Sequence, residues 1–173
     1  QIFNDGKWRH ARLQLQMLDA GVIHEVERKV ALPEYRLRGS IDGVNTEEGY
    51  GVEIKGIGAG LKPVETGPYH HHMLQATAYI LATDVETMVF YYEDKRSQQW
   101  TEHVFTPDAE MMDTVEEELR MLNEHVDNAA LPPVLKECRH GKGETFDRCP
   151  YRYECLGLGG WEEAESLASP DGP

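Results

Sequence analysis

Apolar and polar positions alternate most clearly in two neighbouring segments of the chain, 36–42 and 52–55. A period of two residues is typical of a β-strand with one apolar face, and the polar stretch between the segments predicts a loop. The apolar positions of the two strands are Leu37, Gly39, Ile41, Val52 and Ile54. The opposite side of the predicted sheet carries two carboxylates and an amine, those of Asp42, Glu53 and Lys55.

Helical spacing is found on both sides of these strands. Residues 6–20 and 70–83 have the period of a helix, and Gly21 is placed to end the first of them. The apolar stripe of the first helix consists of Trp8, Ala11, Leu15 and Leu18. Further strands are predicted at 22–30, 87–93 and 100–105, and Pro33 is placed in the turn after the first of these.

A third, longer helix is predicted after the last strand. Thr106 would cap it, with Pro107 at its first position. Its apolar stripe consists of Met112, Val115, Leu119, Leu122 and Val126.

The order of these elements predicts an α/β protein of the α+β type, with a central mixed sheet of about five strands flanked by helices. A chain of 173 residues, 40% of them hydrophobic, is long enough to bury the core of one domain. We expect three segments: a core at 1–137, a cysteine-containing clasp at 138–156, and a disordered tail at 157–173 that is rich in Gly, Glu and Pro.

The formal net charge of −14 argues against a nucleic-acid partner, because such partners favour basic surfaces. The negative charge is local, however. Residues 106–130 carry a net −7 and residues 156–173 a net −4, so the remainder of the chain is close to neutral. The acidity therefore belongs to one helix and the tail, and it leaves a nucleic-acid-binding function open.

Membrane and secretion signals are not found in the sequence. No apolar run approaches about eighteen residues, the length of a membrane span, and the N-terminal segment lacks the apolar centre of a signal peptide. The three cysteines all follow residue 137 and do not suggest an even disulfide framework. A reducing, cytoplasmic location and no membrane partner are therefore expected.

The spacing of Asp42 from Glu53-Ile54-Lys55, eleven residues later, resembles the PD-(D/E)XK nuclease motif in its RecB-like form. The resemblance implies a restriction-endonuclease-like fold and hydrolysis of DNA phosphodiester bonds. It implies that Asp42, Glu53 and Lys55 are catalytic and that the carboxylates hold Mg²⁺ or Mn²⁺, with the main-chain carbonyl of Ile54 as a further ligand. Lys55 would orient the attacking water or stabilise the phosphate in the transition state.

Two further pairs of residues follow the RecB-like order. Gly6 precedes His10 by one helical turn, as in nucleases whose first-helix histidine binds the metal, and a nitrogen ligand favours Mn²⁺. Gln75 and Tyr79 share a helix face, as in the QxxxY motif, which in that family holds the DNA strand or supports the lysine. By residue type alone, His10 is a partly buried surface histidine and the Gln–Tyr pair a coincidence.

Four other charged residues are expected to lie on ordinary solvated surface. Glu25 and Glu27 could face the site from the strand at 22–30, but a solvated strand face is favoured. Lys95 and Arg96 could contact phosphate from the turn between the last two strands, but a solvated hairpin is favoured.

The cysteines form a separate C-terminal motif. Cys149 and Cys155 belong to a Cys-Pro-x4-Cys segment that resembles the ending of the iron–sulfur nucleases in this superfamily, including CRISPR-adaptation exonucleases. There, four cysteines hold a 4Fe–4S cluster; here Cys138 lies further upstream and no earlier cysteine is present. Three outcomes stay open: a fourth ligand before Gln1, a zinc site completed by His140, or a degenerate site.

The sequence therefore predicts a metal-dependent deoxyribonuclease, an exonuclease acting on single-stranded DNA or DNA ends in a bacterial, archaeal or phage-infected cell. The alternatives are a structure- or sequence-specific endonuclease on the same fold, a non-catalytic DNA-binding or assembly module, and a structural metal-binding protein. Recombination, repair and CRISPR adaptation all use such domains, so a protein partner from one of these complexes is compatible with the sequence. The intact set of Asp42, Glu53 and Lys55 favours catalysis over binding alone.

Overall fold

The computed structural model of the protein describes residues 2–139 and 141–157. The chain divides into two units, Gln1–Arg120 and Met121–Pro173. His140 and the chain from residue 158 onward, which includes nearly all of the predicted tail, lie outside the described residues.

The first unit is built on a sheet whose strands lie in sequence order. The strands are β1 (Glu25–Leu32), β2 (Leu37–Asn45), β3 (Tyr50–Ile57), β4 (Thr87–Asp94) and β5 (Trp100–Phe105), and the long helices are α1 (Ile2–Asp19), α2 (His70–Leu81) and α3 (Ala109–Asp127). β3 and β4 are parallel, and the other neighbouring strands are antiparallel. The mixed five-stranded sheet flanked by helices confirms the predicted α+β class and is consistent with a restriction-endonuclease-like fold.

Short elements complete the described chain. Pro33–Tyr35, the predicted turn between β1 and β2, and Lys62–Val64, after β3, each form one turn of 3₁₀ helix. The second unit contains a third such turn and two short helices, at Lys136–Cys138, α4 (Glu144–Arg148) and α5 (Arg152–Cys155). None of the helices in the described parts of the chain has the length and apolar composition that a membrane crossing requires.

Both faces of the sheet are covered by helices. One face and α2 share a buried cluster that includes Ile41, Ala76, Ile80, Phe90 and Tyr92. The other face packs against α1 through Leu13, Ile23, Val52 and Ile54. The expectation that Asp42 lies on the same side of the sheet as Glu53 and Lys55 is therefore wrong, because Ile41 packs on the α2 side and Val52 and Ile54 on the α1 side. Side chains opposite Val52 and Ile54 lie under α2, where hydrogen bonds within the protein replace those to water.

The predicted apolar stripe of α1 is wrong, because it lies mostly in solvent. Trp8 is 75% exposed and Leu15 67%, whereas Leu13 and Gln14 are only 4% and 9% exposed. The buried face of this helix carries a polar side chain next to an apolar one. Periodicity of apolar residues alone therefore assigned the wrong face to the core.

The start of α3 also differs from the prediction. The helix begins at Ala109, and the carboxylate of Asp108 accepts a hydrogen bond from the Met111 amide at 2.8 Å. The hydroxyl of Thr106 instead forms a hydrogen bond of 2.9 Å with that of Thr87. Asp and Thr are both good capping residues, so the residue types alone did not distinguish the two starts.

Gly39 on β2 provides the space in which the ring of Tyr79 packs. A Cβ atom at position 39 would lie 2.5 Å from the Tyr79 hydroxyl oxygen and 2.7 Å from its Cε1. Tyr79 is itself only 9% exposed and belongs to the cluster beneath α2. The ring therefore cannot easily move aside to admit a larger residue.

We predict that Gly39→Ala lowers the free energy of unfolding by about 1–3 kcal/mol, the usual cost of overpacking a buried contact. Gly58→Ala is the matched control, because a Cβ atom there would meet nothing within 4 Å. Urea denaturation followed by circular dichroism measures both variants. Equal stability of the two would contradict the close packing of Tyr79 on Gly39.

Candidate active site

A chain of hydrogen bonds connects β3 to α2. The Lys55 ammonium donates to Glu53 Oε2 at 2.7 Å and to Gln75 Oε1 at 2.9 Å. The Gln75 amide nitrogen donates in turn to the Tyr79 hydroxyl at 3.0 Å. The structure therefore brings together four of the residues that the sequence singled out, and it holds the Lys55 amine between a carboxylate and an amide.

Asp42 lies where the regular pairing of β2 with β3 ends. The last paired residues are Gly43 and Val52, and beyond them Asp42 Oδ2 accepts a hydrogen bond from the Ile54 amide at 2.8 Å. The other oxygen, Oδ1, lies 3.3 Å from His10 Nδ1 on α1. Asp42 thus connects the two predicted strands to the predicted histidine.

Glu27 belongs to the same group, although the sequence favoured a solvated position for it. One ligand atom each from His10, Glu27 and Asp42 lie within 4.8 Å of one another. Glu27 lies opposite Asp42, between the Val26–Gly43 and Arg28–Ile41 pairs of β1 and β2. Its φ of 51° is in the left-handed region, which a non-glycine residue adopts only when its surroundings impose it.

Gln14 and Ser40 hold the Glu27 carboxylate in place. Gln14 Nε2 donates to Glu27 Oε1 at 3.0 Å and to the main-chain oxygen of Asp42 at 2.9 Å. Ser40 Oγ donates to Glu27 Oε2 at 3.0 Å. Because Gln14 is one helical turn after His10, its polarity on the buried face of α1 marked a functional position that the sequence analysis missed.

Burial dominates the electrostatics of Glu53. The residue is only 2% exposed, and loss of hydration raises the pKa of its carboxyl to about 7, against the opposing effect of Lys55. The negative charge of Asp42 raises the pKa further. Glu53 is therefore held as a carboxyl group that exchanges its proton near neutral pH while no cation is bound.

His10 is affected in the same direction by a different cause. The hydrogen bond to Asp42 raises the pKa of the imidazole, and burial opposes the shift. A metal ion competes with a proton for the same imidazole nitrogen. The contact with Asp42 therefore orients the ring toward the carboxylates. In this orientation the imidazole nitrogen can bind either a proton or a metal ion.

The donor set of this region fits a hard divalent cation. The carboxylates of Asp42 and Glu27 lie within 4.8 Å of each other and of His10, and Glu53 lies outside this group. Oxygen donors are those that Mg²⁺ and Mn²⁺ prefer. Glu53 Oε1 is buried and has no hydrogen-bond partner within residues 2–139 and 141–157. An unpartnered buried carboxylate oxygen is costly unless a proton or a cation occupies it.

The three cysteines lie in the second unit around a cavity of about 370 Å³. Apolar side chains, among them Leu122 and Phe146, share its wall with Cys138, Cys149 and Cys155. The sulfur atoms do not form a group within 4.8 Å of one another among the described residues. The cavity brings the thiols to one region, and their role as ligands stays a prediction.

Comparisons with known proteins find similarity in fold only. No family model and no curated protein matches this chain. The crystal structure of SSO0001 is similar over 84% of this chain and 69% of its own length, with a TM-score of 0.52 and 19% identity. An alkaline exonuclease from Laribacter hongkongensis, LHK-Exo, is similar over 70% of this chain and 71% of its own, with a TM-score of 0.45 and 18% identity. The first likeness shows a shared fold alone, and the second is too loose to support a conclusion.

Proposed function

We propose that this protein is a metal-dependent deoxyribonuclease, an exonuclease that acts on single-stranded DNA or DNA ends. The observation that carries the proposal is the surroundings of Glu53. One oxygen of this buried carboxylate is bound to the Lys55 amine, and the other has no partner in the described chain. A free carboxylate oxygen, a second carboxylate from Asp42 and an amine beside them are the groups that phosphodiester hydrolysis with a divalent cation requires.

The ligands proposed for Mg²⁺ or Mn²⁺ are His10, Asp42, Glu53 and the main-chain carbonyl of Ile54, with Glu27 added because it lies in the group of His10 and Asp42. When bound, the cation supplies charge neutralisation at the phosphate and a more acidic water. His10 and Glu27 approach from α1 and β1, Asp42 from β2, and Glu53 and Ile54 from β3, so the ligands come from four elements.

Lys55 is the proposed catalytic amine. An ammonium has three donors, and two of those of Lys55 are directed to Glu53 and Gln75. The third is left for a phosphate oxygen or the attacking water. Gln75 and Tyr79 act as positioning residues, because each fixes the next member of the chain of hydrogen bonds and neither is itself charged.

The non-catalytic alternative does not require this arrangement. A DNA-binding module gains nothing from an amine held between a buried carboxylate and an amide, and burying Glu53 costs stability. Retaining both therefore favours the enzyme over a binding module.

We predict that Asp42→Asn abolishes cleavage and weakens Mn²⁺ binding, whereas Lys55→Ala lowers kcat by about 10²-fold or more and leaves Mn²⁺ affinity unchanged. The reason is that Asp42 is a ligand and Lys55 is not. Titration calorimetry with Mn²⁺ and degradation of a labelled single strand separate the two effects. Both are measured well above the wild-type Glu53 pKa of about 7. Because Lys55 lowers this pKa, Lys55→Ala is also titrated at a higher pH, at which the carboxyl is ionised without the amine.

The exposed lysine of the 3₁₀ turn after β3 provides the control, since Lys62→Ala removes the same charge outside the site. Wild-type activity of Asp42→Asn in both Mg²⁺ and Mn²⁺ would overturn the metal assignment. Parallel loss of metal affinity and rate in Lys55→Ala would show that its amine acts through the ligands.

Glu27 provides a sharper test, because the two strand glutamates differ in surroundings. We predict that Glu27→Gln weakens Mn²⁺ binding by about 10-fold or more, as the loss of a group at a metal site does. Glu25→Gln is the matched control: it removes the same charge two residues earlier, where the carboxylate pairs with Arg28 at 2.7 Å. His10→Ala is expected to behave as Glu27→Gln does. Equal Mn²⁺ affinities of the two glutamate variants, measured by electron paramagnetic resonance, would exclude Glu27 from the ligand set.

We propose a separate, soft-metal role for Cys138, Cys149 and Cys155. Thiolates select zinc or an iron–sulfur cluster, whereas Asp42 and Glu53 select hard ions. The occupant is either a 4Fe–4S cluster with a fourth ligand from outside this chain or a zinc ion. His140, the other candidate for the fourth zinc ligand, lies outside the described residues.

Wild-type protein purified without oxygen is accordingly expected to be brown or to contain stoichiometric zinc. The Cys149→Ser variant is expected to lose this metal and to keep Mn²⁺ binding. Visible absorbance and elemental analysis measure the two outcomes. Colourless, zinc-free wild-type protein would contradict the soft-metal role and leave the nuclease proposal intact.

A further inference from the structure

The candidate site opens into a cavity of about 560 Å³ in the first unit. His10 and Glu27 lie on its wall, and two lysines that the catalytic proposal does not use, Lys7 and Lys95, lie on the same wall. Pockets of this size are typical of small-ligand sites. The cavity thus combines proposed metal ligands with two positively charged side chains that come from different elements.

The backbone of Lys95 is hydrogen-bonded to β3, and its side chain passes close to Gly56. Its amide donates to the Ile57 carbonyl at 2.8 Å, which ties the turn after β4 to the end of β3. A Cβ atom at Gly56 would lie 3.0 Å from Lys95 Cε. The stem of Lys95 therefore crosses the chain at Gly56, directly after the proposed catalytic Lys55.

Lys7 reaches the cavity from α1. It lies three residues before His10, close to one helical turn, so the two side chains project on the same side of the helix. It and Lys95 are both exposed. The sequence favoured a solvated hairpin for Lys95 and did not single out Lys7, and the fold brings both to one cavity with His10.

Neither of these ammonium groups is matched by a carboxylate within the described residues. The contrast with the nearby arginines is clear: Arg12 binds both oxygens of Glu93, at 2.8 and 2.5 Å, and Arg9 lies 3.4 Å from the same carboxylate. The two arginines share this one carboxylate inside the protein, whereas the two exposed lysines are open to an external anion.

The charge of the whole chain limits where a polyanion can bind. The net charge of −14 gives the protein no overall attraction for a polyanion, so local cations decide where one can approach. We propose that Lys7 and Lys95 form a phosphate-binding subsite, which holds a phosphate of the DNA strand adjacent to the one at the metal ligands. This inference rests on the proposed function, because it needs a phosphodiester chain in the cavity.

The subsite has a consequence for substrate class. A mononucleotide or a small phosphodiester offers a single phosphate, which the metal ligands and Lys55 occupy. A polynucleotide offers a second one to Lys7 and Lys95. The subsite therefore favours chains over small esters and sets the direction in which a strand leaves the cavity.

The test is the salt dependence of binding of a fluorescein-labelled thymidine oligonucleotide, measured by fluorescence anisotropy. Glu53→Gln serves as a common background, so that binding is read without cleavage. Each phosphate contact to a single strand contributes about 0.7 to the slope of log Kd against log salt concentration. Lys7→Ala and Lys95→Ala should each lower the slope by about 0.7 and raise Kd, and the double variant should lower it by about 1.4.

Two matched variants separate a phosphate contact from a general change of charge. Lys95→Arg keeps the positive charge and should leave the salt slope unchanged. Arg96→Ala removes a charge from the adjacent position, which does not line the cavity, and should also leave the slope unchanged. Unchanged slopes in both lysine variants, an equal loss in Arg96→Ala, or no binding of the oligonucleotide would each overturn the subsite. Failure of the proposed function is recognised separately, as the absence of cleavage by the wild-type protein in Mg²⁺ and Mn²⁺.

Discussion

The hydrogen bond from the Ile54 amide to the Asp42 carboxylate decides where the pairing of β2 with β3 ends. Regular pairing reaches Gly43 and Val52, and one residue further the side chain of Asp42 takes the place of a strand carbonyl. A buried amide is thereby satisfied without continuing the ladder. The two strands can then separate, and the gap between them receives a carboxylate from the α1 side, Asp42, and one from the α2 side, Glu53.

Burial of Glu53 is the main cost of this arrangement. Moving a carboxylate out of water costs several kcal/mol, and a single ion pair rarely restores all of it. Lys55 pairs with only one of the two oxygens. A structural role would be served as well by an apolar residue of similar size, so the unmatched oxygen is best explained as a place for a ligand. Strain at Glu27, whose φ is 51°, points to the same region by an independent route.

Local patterns predicted most of the fold. Alternation identified β2 and β3, helical spacing identified α2, and Pro33 marked the turn between β1 and β2. The sheet order was not predicted: β1, β2 and β3 are joined by short connections and pair antiparallel, whereas β3 and β4 are joined through α2 and pair in parallel. Of the candidate site, strand alternation placed Glu53 beside Lys55, and a four-residue helical step placed Gln75 beside Tyr79. That the two pairs meet was implied by the resemblance to RecB-like nucleases.

The errors arose where polar contacts between side chains override the apolar pattern. On α1 the buried face includes His10 and Gln14, because these side chains serve Asp42 and Glu27, and the apolar Trp8 and Leu15 are left in solvent. Glu27 was considered for the site but assigned to an ordinary solvated strand face, for a related reason. Alternation assumes extended backbone, and a left-handed residue in a strand redirects its side chain in a way that no count of positions reveals. A polar residue that breaks a strand or helix pattern is thus a better guide to this site than the apolar residues that follow the pattern.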